Sequence, residues 1–258
     1  MRLRVVSYNI HKAVGTDRKF DVDRIVEVLR HHDADVVLLQ EVDRHAGRSN
    51  HLELAAVIGR RLDYPYRSIG INHANRAGKY GNATLSRFPI GHQKNIDLTV
   101  GWRKRRGAQF TRLHLPRGGP VAVVDVFNIH LGLAARIQRV QVARLLDDEL
   151  VSADQPNRAV IVAGDTNDWA GLLHGSFRRN GFQCASTRRL GVAWAIRTFP
   201  SFAPAGGLDK IFYRGPLTLL SSHRSRLKLA RVASDHLPIV ADFEVSRTPS
   251  PLVALSEA

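Results

Sequence analysis

The chain has 258 residues, one cysteine and a formal net charge of +15, from 38 lysines and arginines against 23 acidic residues. A single cysteine excludes an internal disulfide and a zinc site built from paired cysteines. No apolar stretch approaches the roughly 18 residues of a membrane span, and the N-terminus lacks the apolar segment of a signal peptide, so we predict a cytoplasmic protein. The charge either favours polyanionic partners, such as nucleic acid or an anionic membrane surface, or serves solubility alone.

The first quarter of the chain alternates strand and helix patterns. Residues 2–10 and 34–40 are apolar runs of strand length. Residues 21–32 between them carry apolar side chains at helical spacing, and a second helix is predicted over residues 50–61. This opening is typical of a β-α-β unit.

The rest of the chain contains short strands, one long helix and a further group of strands. Strands are predicted over residues 80–86, 90–100, 109–115, 121–129, 159–163, 208–213, 217–221 and 239–245, with a helix over 134–150. Helix and strand patterns alternate in each half, and hairpin signals crowd the middle. We therefore predict one α/β domain over residues 1–247, with two packed mixed sheets and helices outside, and a disordered tail over residues 248–258.

Acids, amides and histidines lie at or just past the ends of the apolar runs. They are Asn9, Glu41, Asp165, Asn167, Asp209, Asp235 and His236. Because loops at one edge of a layered fold can converge on one pocket, this set indicates metal-assisted hydrolysis of phosphate esters. Each residue taken singly also has a structural explanation, such as pairing of Glu41 with Arg44 or a buried core position for His130.

Glu41 directly follows the apolar residues 36–39, which would hold its carboxylate rigidly at a strand end. Mg²⁺ takes oxygen ligands and keeps several waters, so one or two carboxylates and a substrate phosphate are enough to bind it. Glu41 is therefore the leading candidate ligand for Mg²⁺, with Mn²⁺ as an alternative ion. Asn9 and Asp235 could complete or tune the site.

Two histidines are candidates for acid-base chemistry. A histidine needs an orienting carboxylate to act on a phosphate, and Asp209 could supply one to His236 across adjacent loops. His130 is a second candidate acid.

Seven short motifs give the chain a resemblance to a known superfamily. They cover residues 7–12, 40–43, 80–89, 128–131, 164–167, 208–211 and 234–238. Their types and order resemble the endonuclease/exonuclease/phosphatase superfamily, which includes deoxyribonuclease I, exonuclease III, neutral sphingomyelinases and inositol polyphosphate phosphatases. The resemblance implies a four-layered α/β sandwich and Mg²⁺-dependent cleavage of phosphodiesters or phosphomonoesters.

The resemblance also implies a role for each matching residue. Glu41 resembles the metal-binding glutamate, with Asn9 as its neighbour and Asp235 close to the metal. Asp165 would orient or activate the attacking water, and Asn167 would contact the scissile phosphate.

The histidines and the phosphate-binding residues follow the same resemblance. His236 would lie against the phosphate, oriented by Asp209, and His130 resembles the second histidine of the deoxyribonuclease I and sphingomyelinase branches. Arg106 falls at the position of a phosphate-binding arginine. Asn82 stands where deoxyribonuclease I has a glutamate, and we assign it with Arg106 to substrate binding.

The predicted activity is that of a Mg²⁺-dependent phosphodiesterase, with nucleic acid as the leading substrate. A phospholipid or sphingomyelin-type head group is the alternative substrate, because a basic surface also suits anionic membranes. The alternative from another class is an inactive module that binds polyanions through its charge. The basic residues 103–106, next to Trp102, would serve either partner and are predicted to lie on an exposed loop.

Overall fold

The computed structural model describes residues 1–116, 122–151, 158–187 and 195–246. The strands are β1 (Arg2–Asn9), β2 (Val36–Arg44), β3 (Tyr66–Asn75), β4 (Gly78–Ser86), β5 (Ile90–Asp97), β6 (Gly107–Leu115), β7 (Ala122–His130), β8 (Ala159–Asp165), β9 (Gln183–Cys184), β10 (Asp209–Arg214), β11 (Leu217–Arg224) and β12 (Ile239–Val245). The helices are α1 (Val22–His32), α2 (Leu54–Arg61), α3 (Ala135–Asp147), α4 (His174–Arg179) and α5 (Ala230–Ala233). The tail predicted over residues 248–258 lies outside the described residues.

The strands form two six-stranded mixed sheets. The first has the order β11-β12-β1-β2-β4-β3, and the second has the order β5-β6-β7-β8-β10-β9. One pair in each sheet is parallel, β1 with β2 and β7 with β8. The remaining neighbours are antiparallel.

The sheets pack face to face between two layers of helices. In β1, Leu3 and Val5 face the central core between the sheets, whereas Val6 and Tyr8 face α1, α2 and α5 on the outer side. α3 and α4 cover the second sheet. Burial on both faces explains why the central strands are nearly continuous apolar runs. The predicted four-layered α/β sandwich is confirmed. Among the described residues, the helices are too short or too polar to span a bilayer.

Two differences from the predicted elements concern the outer part of the first sheet. β3 was not predicted, because it is an edge strand whose second half is exposed and polar. The helix predicted over residues 50–61 begins at Leu54 instead, since Asn50 and His51 have positive φ angles of 53° and 56° that no helix accommodates.

Strand direction brings the chemically distinctive residues to one edge of the sandwich. β1 ends at Asn9, which lies opposite Gln40 of the parallel strand β2. In the second sheet, His130 at the end of β7 is opposite Asp165 at the end of β8. β10 runs the other way, so its first residue, Asp209, also lies opposite Asp165. Three strands of one sheet therefore bring His130, Asp165 and Asp209 to a single point.

A buried polar network joins the two sheets beneath this edge. Gln40 Nε2 donates to Asn128 Oδ1 at 2.7 Å, and Asn82 Nδ2 donates to the carbonyl of Asn128 at 3.0 Å. Thr84 Oγ1 donates to Gln109 Oε1 at 3.0 Å. Sliding one sheet over the other would leave these buried groups without hydrogen-bond partners. Each unpaired group would destabilise the fold by about 1–3 kcal/mol. The network therefore fixes the position of one sheet relative to the other.

Candidate active site

Asp165 lies at the centre of the convergent residues. Its Oδ1 accepts a hydrogen bond from the Asn167 main-chain nitrogen at 3.0 Å, and its Oδ2 accepts one from Asn9 Nδ2 at 3.0 Å. The Nε2 atoms of His130 and His236 are each 3.6 Å from the same Oδ2, beyond hydrogen-bond distance. Burial raises the pKa of Asp165 to about 6, although the charge of His236 opposes this shift.

The main chain around Asp165 is held closely. Gly164 has a φ of 148°, and a Cβ there would lie 1.8 Å from the carbonyl oxygen of Ile129, so only glycine fits between β7 and β8. Asn167 has a left-handed φ of 52°. Its Nδ2 donates to the carbonyl of Leu131, and Gln138 Nε2 donates to the carbonyl of Asn167. The loop after β8 is therefore fixed from both sides.

Asp209 and His236 form a buried pair beside Asp165. His236 Nδ1 donates to Asp209 Oδ2 at 2.9 Å, and Thr198 Oγ1 donates to the same oxygen at 2.5 Å. Burial lowers the pKa of His236, but the carboxylates of Asp209 and Asp165 outweigh this effect and raise the pKa to about 10. The ring of Phe199 packs against the imidazole with 4.9 Å between ring centroids. His236 is therefore an oriented imidazolium at neutral pH.

His130 has the opposite charge state. Burial and the nearby Arg106 guanidinium lower the pKa of His130 well below the ordinary 6.5. Its Nδ1 is buried and has no hydrogen-bond partner within the described residues. The Asp165 carboxylate thus lies between the charged His236 and the neutral His130. Neighbouring groups whose pKa values are shifted in opposite directions are typical of acid-base sites.

Glu41 projects from a bulge in β2. The register of β2 against β4 shifts between Leu39 and Val42, and Glu41 has a left-handed φ of 58°. Its side chain is 14% exposed and forms an ion pair with Lys12 Nζ. Burial raises the pKa of Glu41, but nearby positive charge, including the charge and hydrogen bond of Lys12, outweighs it and lowers the pKa to about 2. The carboxylate is therefore ionised and directed at a positive charge.

Two donor sets could hold a divalent ion. Asp165, Asp209 and His236 each offer a ligand atom within 4.8 Å of the others. Asp209 Oδ1 in this set is buried and lacks a hydrogen-bond partner among the described residues. Glu41 is not a member of that group, but its ionised oxygens and the neighbouring Asn9 suit a hard cation. Because Mg²⁺ takes oxygen ligands and the His236 imidazolium has no lone pair to offer, the chemistry of the Glu41 and Asn9 set fits Mg²⁺ better.

Two further predicted residues, Asp235 and Arg106, lie near the histidines of the site. Asp235 is close enough for its carboxylate to raise the pKa of His236. Arg106 is only 8% exposed, so the expected exposed loop over residues 103–106 is wrong for its last member. Arg106 is buried because it directly precedes β6 and its guanidinium lies near the side chains of His130 and Tyr80, whose pKa values it lowers.

Asn82 does not face the site as a free donor. It is 1% exposed, and its Nδ2 donates to the main-chain carbonyls of Asn128 and Gly107. This placement argues against direct contact with a substrate. We therefore assign Asn82 to the network between the sheets.

Three residues near the site had no predicted role. Thr198 bonds the oriented Asp209, Lys12 pairs with Glu41, and Tyr80 lies beside Glu41 and Arg106. Lys12 and Tyr80 fall inside short motifs, so their sequence position was informative although their contacts were not. Thr198 lies 11 residues before its partner in no recognisable motif, and no sequence signal indicated it.

Comparison with known proteins identifies the class to which this fold and site belong. Residues 6–236 match the model of the Endonuclease/Exonuclease/phosphatase family. The chain therefore belongs to that family, whose members hydrolyse phosphoester bonds.

Individual relatives extend over nearly the whole chain. The uncharacterized protein YbhP of Escherichia coli strain K12 is 31% identical over 255 residues, which cover 94% of this chain and 96% of YbhP. An endonuclease/exonuclease/phosphatase from Beutenbergia cavernae has a similar fold, with a TM-score of 0.76 at 23% identity, over 96% of this chain and 72% of that one. Truncated TDP2 from Caenorhabditis elegans has a TM-score of 0.66 at 19% identity, over 94% of this chain and 98% of that one.

Proposed function

We propose that the protein is a Mg²⁺-dependent phosphodiesterase that cleaves phosphodiester bonds of nucleic acid in the cytoplasm. The observation that carries this proposal is the position of Asp165 Oδ2, 3.6 Å from the Nε2 atoms of both His130 and His236. That gap is too long for direct hydrogen bonds and leaves the histidine nitrogens directed at the place where a phosphate and its attacking water would meet.

Asp165 is the group that would receive a proton from the attacking water. A general base works best when its pKa is near the operating pH, and the pKa of Asp165 is raised to about 6. The amide of Asn9 and the main chain of Asn167 hold the carboxylate in place. The attacking oxygen would therefore be deprotonated along a fixed direction.

The two histidines would stabilise the phosphoryl oxygens. The imidazolium of His236, oriented by Asp209, presents its Nε2 proton to the charge that builds in the transition state. His130 is neutral and can donate one hydrogen bond without adding a second positive charge beside His236. Asn167 would contact the phosphate with the side-chain atoms that its bond to Leu131 leaves available.

Glu41, Asn9 and Asp235 are the residues that we propose to hold Mg²⁺. Support comes from the ionised state of Glu41 and from its ion pair with the Lys12 ammonium, a positive charge beside the carboxylate proposed to bind the ion. When bound there, the ion would supply a Lewis acid that neutralises charge on the phosphoryl oxygens. Arg106 would add a fixed positive charge on the side of His130.

The exposed surface near the site favours nucleic acid as the substrate. Arg103, Lys104 and Arg105 are exposed, and the neighbouring Trp102 is 100% exposed. Basic side chains bind backbone phosphates without reading sequence, and an exposed indole can stack on a base. A lipid head group remains the second candidate, because the same combination suits an anionic membrane surface. The catalytic geometry argues against an inactive polyanion-binding module.

A substrate panel tests this proposal. Plasmid DNA, single-stranded DNA, RNA, sphingomyelin, phosphatidylglycerol and inositol phosphates would each be incubated with the protein in Mg²⁺ or in chelator, beside a His236→Ala control. We expect Mg²⁺-dependent release of products from at least one nucleic acid, abolished in the control. Cleavage confined to lipids would replace the nucleic-acid proposal, and cleavage of nothing in the panel would refute the phosphodiesterase proposal.

The salt dependence of binding separates the two candidate substrates. Replacing Arg103 and Arg105 by Gln should flatten the slope of log affinity for DNA against log salt by about 0.7–0.9 for each lost phosphate contact. Binding to vesicles that contain phosphatidylglycerol is the matched measurement. A variant that keeps its DNA slope but loses vesicle binding would favour the lipid substrate.

A further inference from the structure

A cavity of about 680 Å³ opens next to Glu41, between the 3₁₀ turn that follows β2 and the hairpin of β3 and β4. Its lining is strongly basic. It contains three histidines and the five cations Lys12, Arg48, Arg76, Lys79 and Lys104, and no acidic residue. A cavity of this size can hold a nucleotide, and its charge selects an anion.

The cations converge on one aromatic ring. Lys104 Nζ lies 5.1 Å from the centroid of the Tyr80 ring, Arg48 Cζ lies 5.7 Å from it, and Lys12 Nζ lies 5.8 Å from it. An aromatic face attracts each cation, but it does not neutralise their mutual repulsion. Three positive groups are thus held together around an uncharged side chain.

Only part of this charge is neutralised within the protein. Arg48 makes a bidentate pair with the buried Asp43, and Lys12 pairs with Glu41. No carboxylate lies within ion-pair distance of Arg76, Lys79 or Lys104 in the part of the chain that the structure describes. The cavity therefore holds several positive charges that lack a counter-ion of the protein.

The hairpin of β3 and β4 forms one wall of the cavity, and its main chain lies close to the main chain of the segment after β2. Gly78 has a φ of 130°, and a Cβ there would lie 2.6 Å from the Cα of Ala46. Only glycine allows the hairpin to approach the segment after β2 so closely. The wall that carries Lys79 is therefore fixed before any ligand arrives.

The cavity is continuous with the candidate active site. Lys12 lines the cavity and also pairs with Glu41, and Tyr80 in the cavity lies beside both Glu41 and Arg106. An anion bound in the cavity would therefore lie close to the ester being cleaved without occupying its place. It would belong to a neighbouring part of the same substrate.

We propose that this basic cavity binds a second, non-reacting phosphate of the substrate, namely the terminal phosphate of a nucleic-acid strand. The inference rests on the proposed function, because it assumes that the scissile phosphate lies at Asp165 and His236. A terminal phosphate monoester carries more negative charge than a phosphate within the strand. This charge suits the cavity, where Arg76, Lys79 and Lys104 have no ion-pair partner among the described residues. The cavity would make the enzyme prefer bonds near a phosphorylated strand end.

The test uses three DNA trinucleotides of one sequence, which carry a phosphate at the 5′ end, at the 3′ end or at neither end. Values of kcat/KM in Mg²⁺ would be measured for the wild type and for Arg76→Gln combined with Lys79→Gln, two cations that line the cavity outside the basic surface at residues 103–105. Arg60→Gln combined with Arg139→Gln is the matched control, since it removes the same charge from exposed positions outside the cavity.

We expect the wild type and the control to prefer one phosphorylated trinucleotide by about 10- to 100-fold, the range for charge-assisted phosphate contacts. The cavity variant should lose this preference while its kcat/KM on the unphosphorylated trinucleotide changes by less than about 3-fold. Equal loss on all three trinucleotides would overturn the inference, as would a wild type without preference. The preferred end would also fix the polarity of cleavage.

Equilibrium binding in chelator separates this inference from the proposed function. If no trinucleotide is cleaved but a terminal phosphate tightens binding through Arg76 and Lys79, the cavity assignment stands and the proposed function fails. If all are cleaved alike and bound alike, the proposed function stands and the inference fails. Inorganic phosphate is the last probe. If it changes cleavage of the unphosphorylated trinucleotide while no terminal preference exists, the cavity serves a free anion and the inference is overturned.

Discussion

Removing the carboxylate of Asp209 is the most informative single change to the site. Asp209→Asn keeps the size of the side chain and its bond to Thr198 but removes the negative charge that accepts from His236 Nδ1. An amide at this position can also rotate and offer its NH₂ group to the imidazole. His236 would then lose both its orientation and its positive charge.

The expected loss of kcat/KM in Asp209→Asn can be worked out from the raised pKa of His236. The pKa of His236 is about 10 against an ordinary value of 6.5, a difference of about 5 kcal/mol in favour of the imidazolium at 1.36 kcal/mol per pH unit. Asp209 is the largest favourable cause of this shift. Breaking a buried charge pair commonly costs about 3–5 kcal/mol, so we expect kcat/KM to fall by about 100- to 1,000-fold, part of the loss being recovered by Asp165.

A double-mutant cycle measures whether Asp209 acts through His236. The values of kcat/KM for Asp209→Asn, His236→Ala and the double variant should show that the double variant is no worse than His236→Ala alone. A nuclear magnetic resonance titration of the imidazole should show that the pKa of His236 falls in Asp209→Asn. Asp242→Asn is the control, because Asp242 is another buried acidic partner, paired with Arg4. Losses that multiply in the double variant, or an unchanged titration of His236, would refute the reasoning.

Three further outcomes are expected elsewhere in the molecule. Glu41→Gln should lower kcat/KM by about 100-fold or more and remove the response to Mg²⁺, and full wild-type activity in excess chelator would contradict this. Gly164→Ala should destabilise the fold by about 3 kcal/mol or more in urea unfolding, whereas Gly181→Ala, with a φ of 78° and open space around it, should cost about 1 kcal/mol. Burial and neighbouring cations lower the pKa of His32 to about 4 from 6.5, so its contribution to stability is full above pH 6.5 and is lost as the pH falls towards 4. Urea unfolding between pH 7 and 4 should therefore show an acid-induced loss about 2 kcal/mol smaller in His32→Gln than in the wild type, and equal losses would exclude His32 as the cause.

The sequence was most informative where both faces of a strand are buried. Residues 36–39 and 159–163 were predicted as apolar strands, and each is followed two residues later by a candidate site acid, Glu41 or Asp165. The edge strand β3 lacks this signal, because its exposed half has no need of apolar residues. Local pattern thus located the centre of the sandwich but not its border.

Most contacts between distant residues were beyond sequence reasoning, although the pairing of Asp209 with His236 was predicted and is observed. The basic cavity is formed by four separate segments, around residues 12, 45–51, 73–80 and 104, and none of them is unusual by itself. Burial of Arg106 depends on neighbours from other strands, whereas its sequence neighbours 103–105 are exposed. The left-handed bulge at Glu41 likewise depends on the pairing of β2 with β4.

The order of the strands along the chain has a consequence for synthesis on the ribosome. The strands of the second sheet all fall within residues 90–214, whereas the first sheet needs β12 inserted between β1 and β11. His236 lies just before β12, separated from it by Leu237 and Pro238, so the placement of β12 beside β1 also places the imidazole that pairs with Asp209. Domains generally fold as units, so the two sheets should reach their final packing only after β12 has emerged from the ribosome. The proposed site, which needs Asp165 and Asp209 from the second sheet and His236 from the segment before β12, would therefore be completed at the end of synthesis.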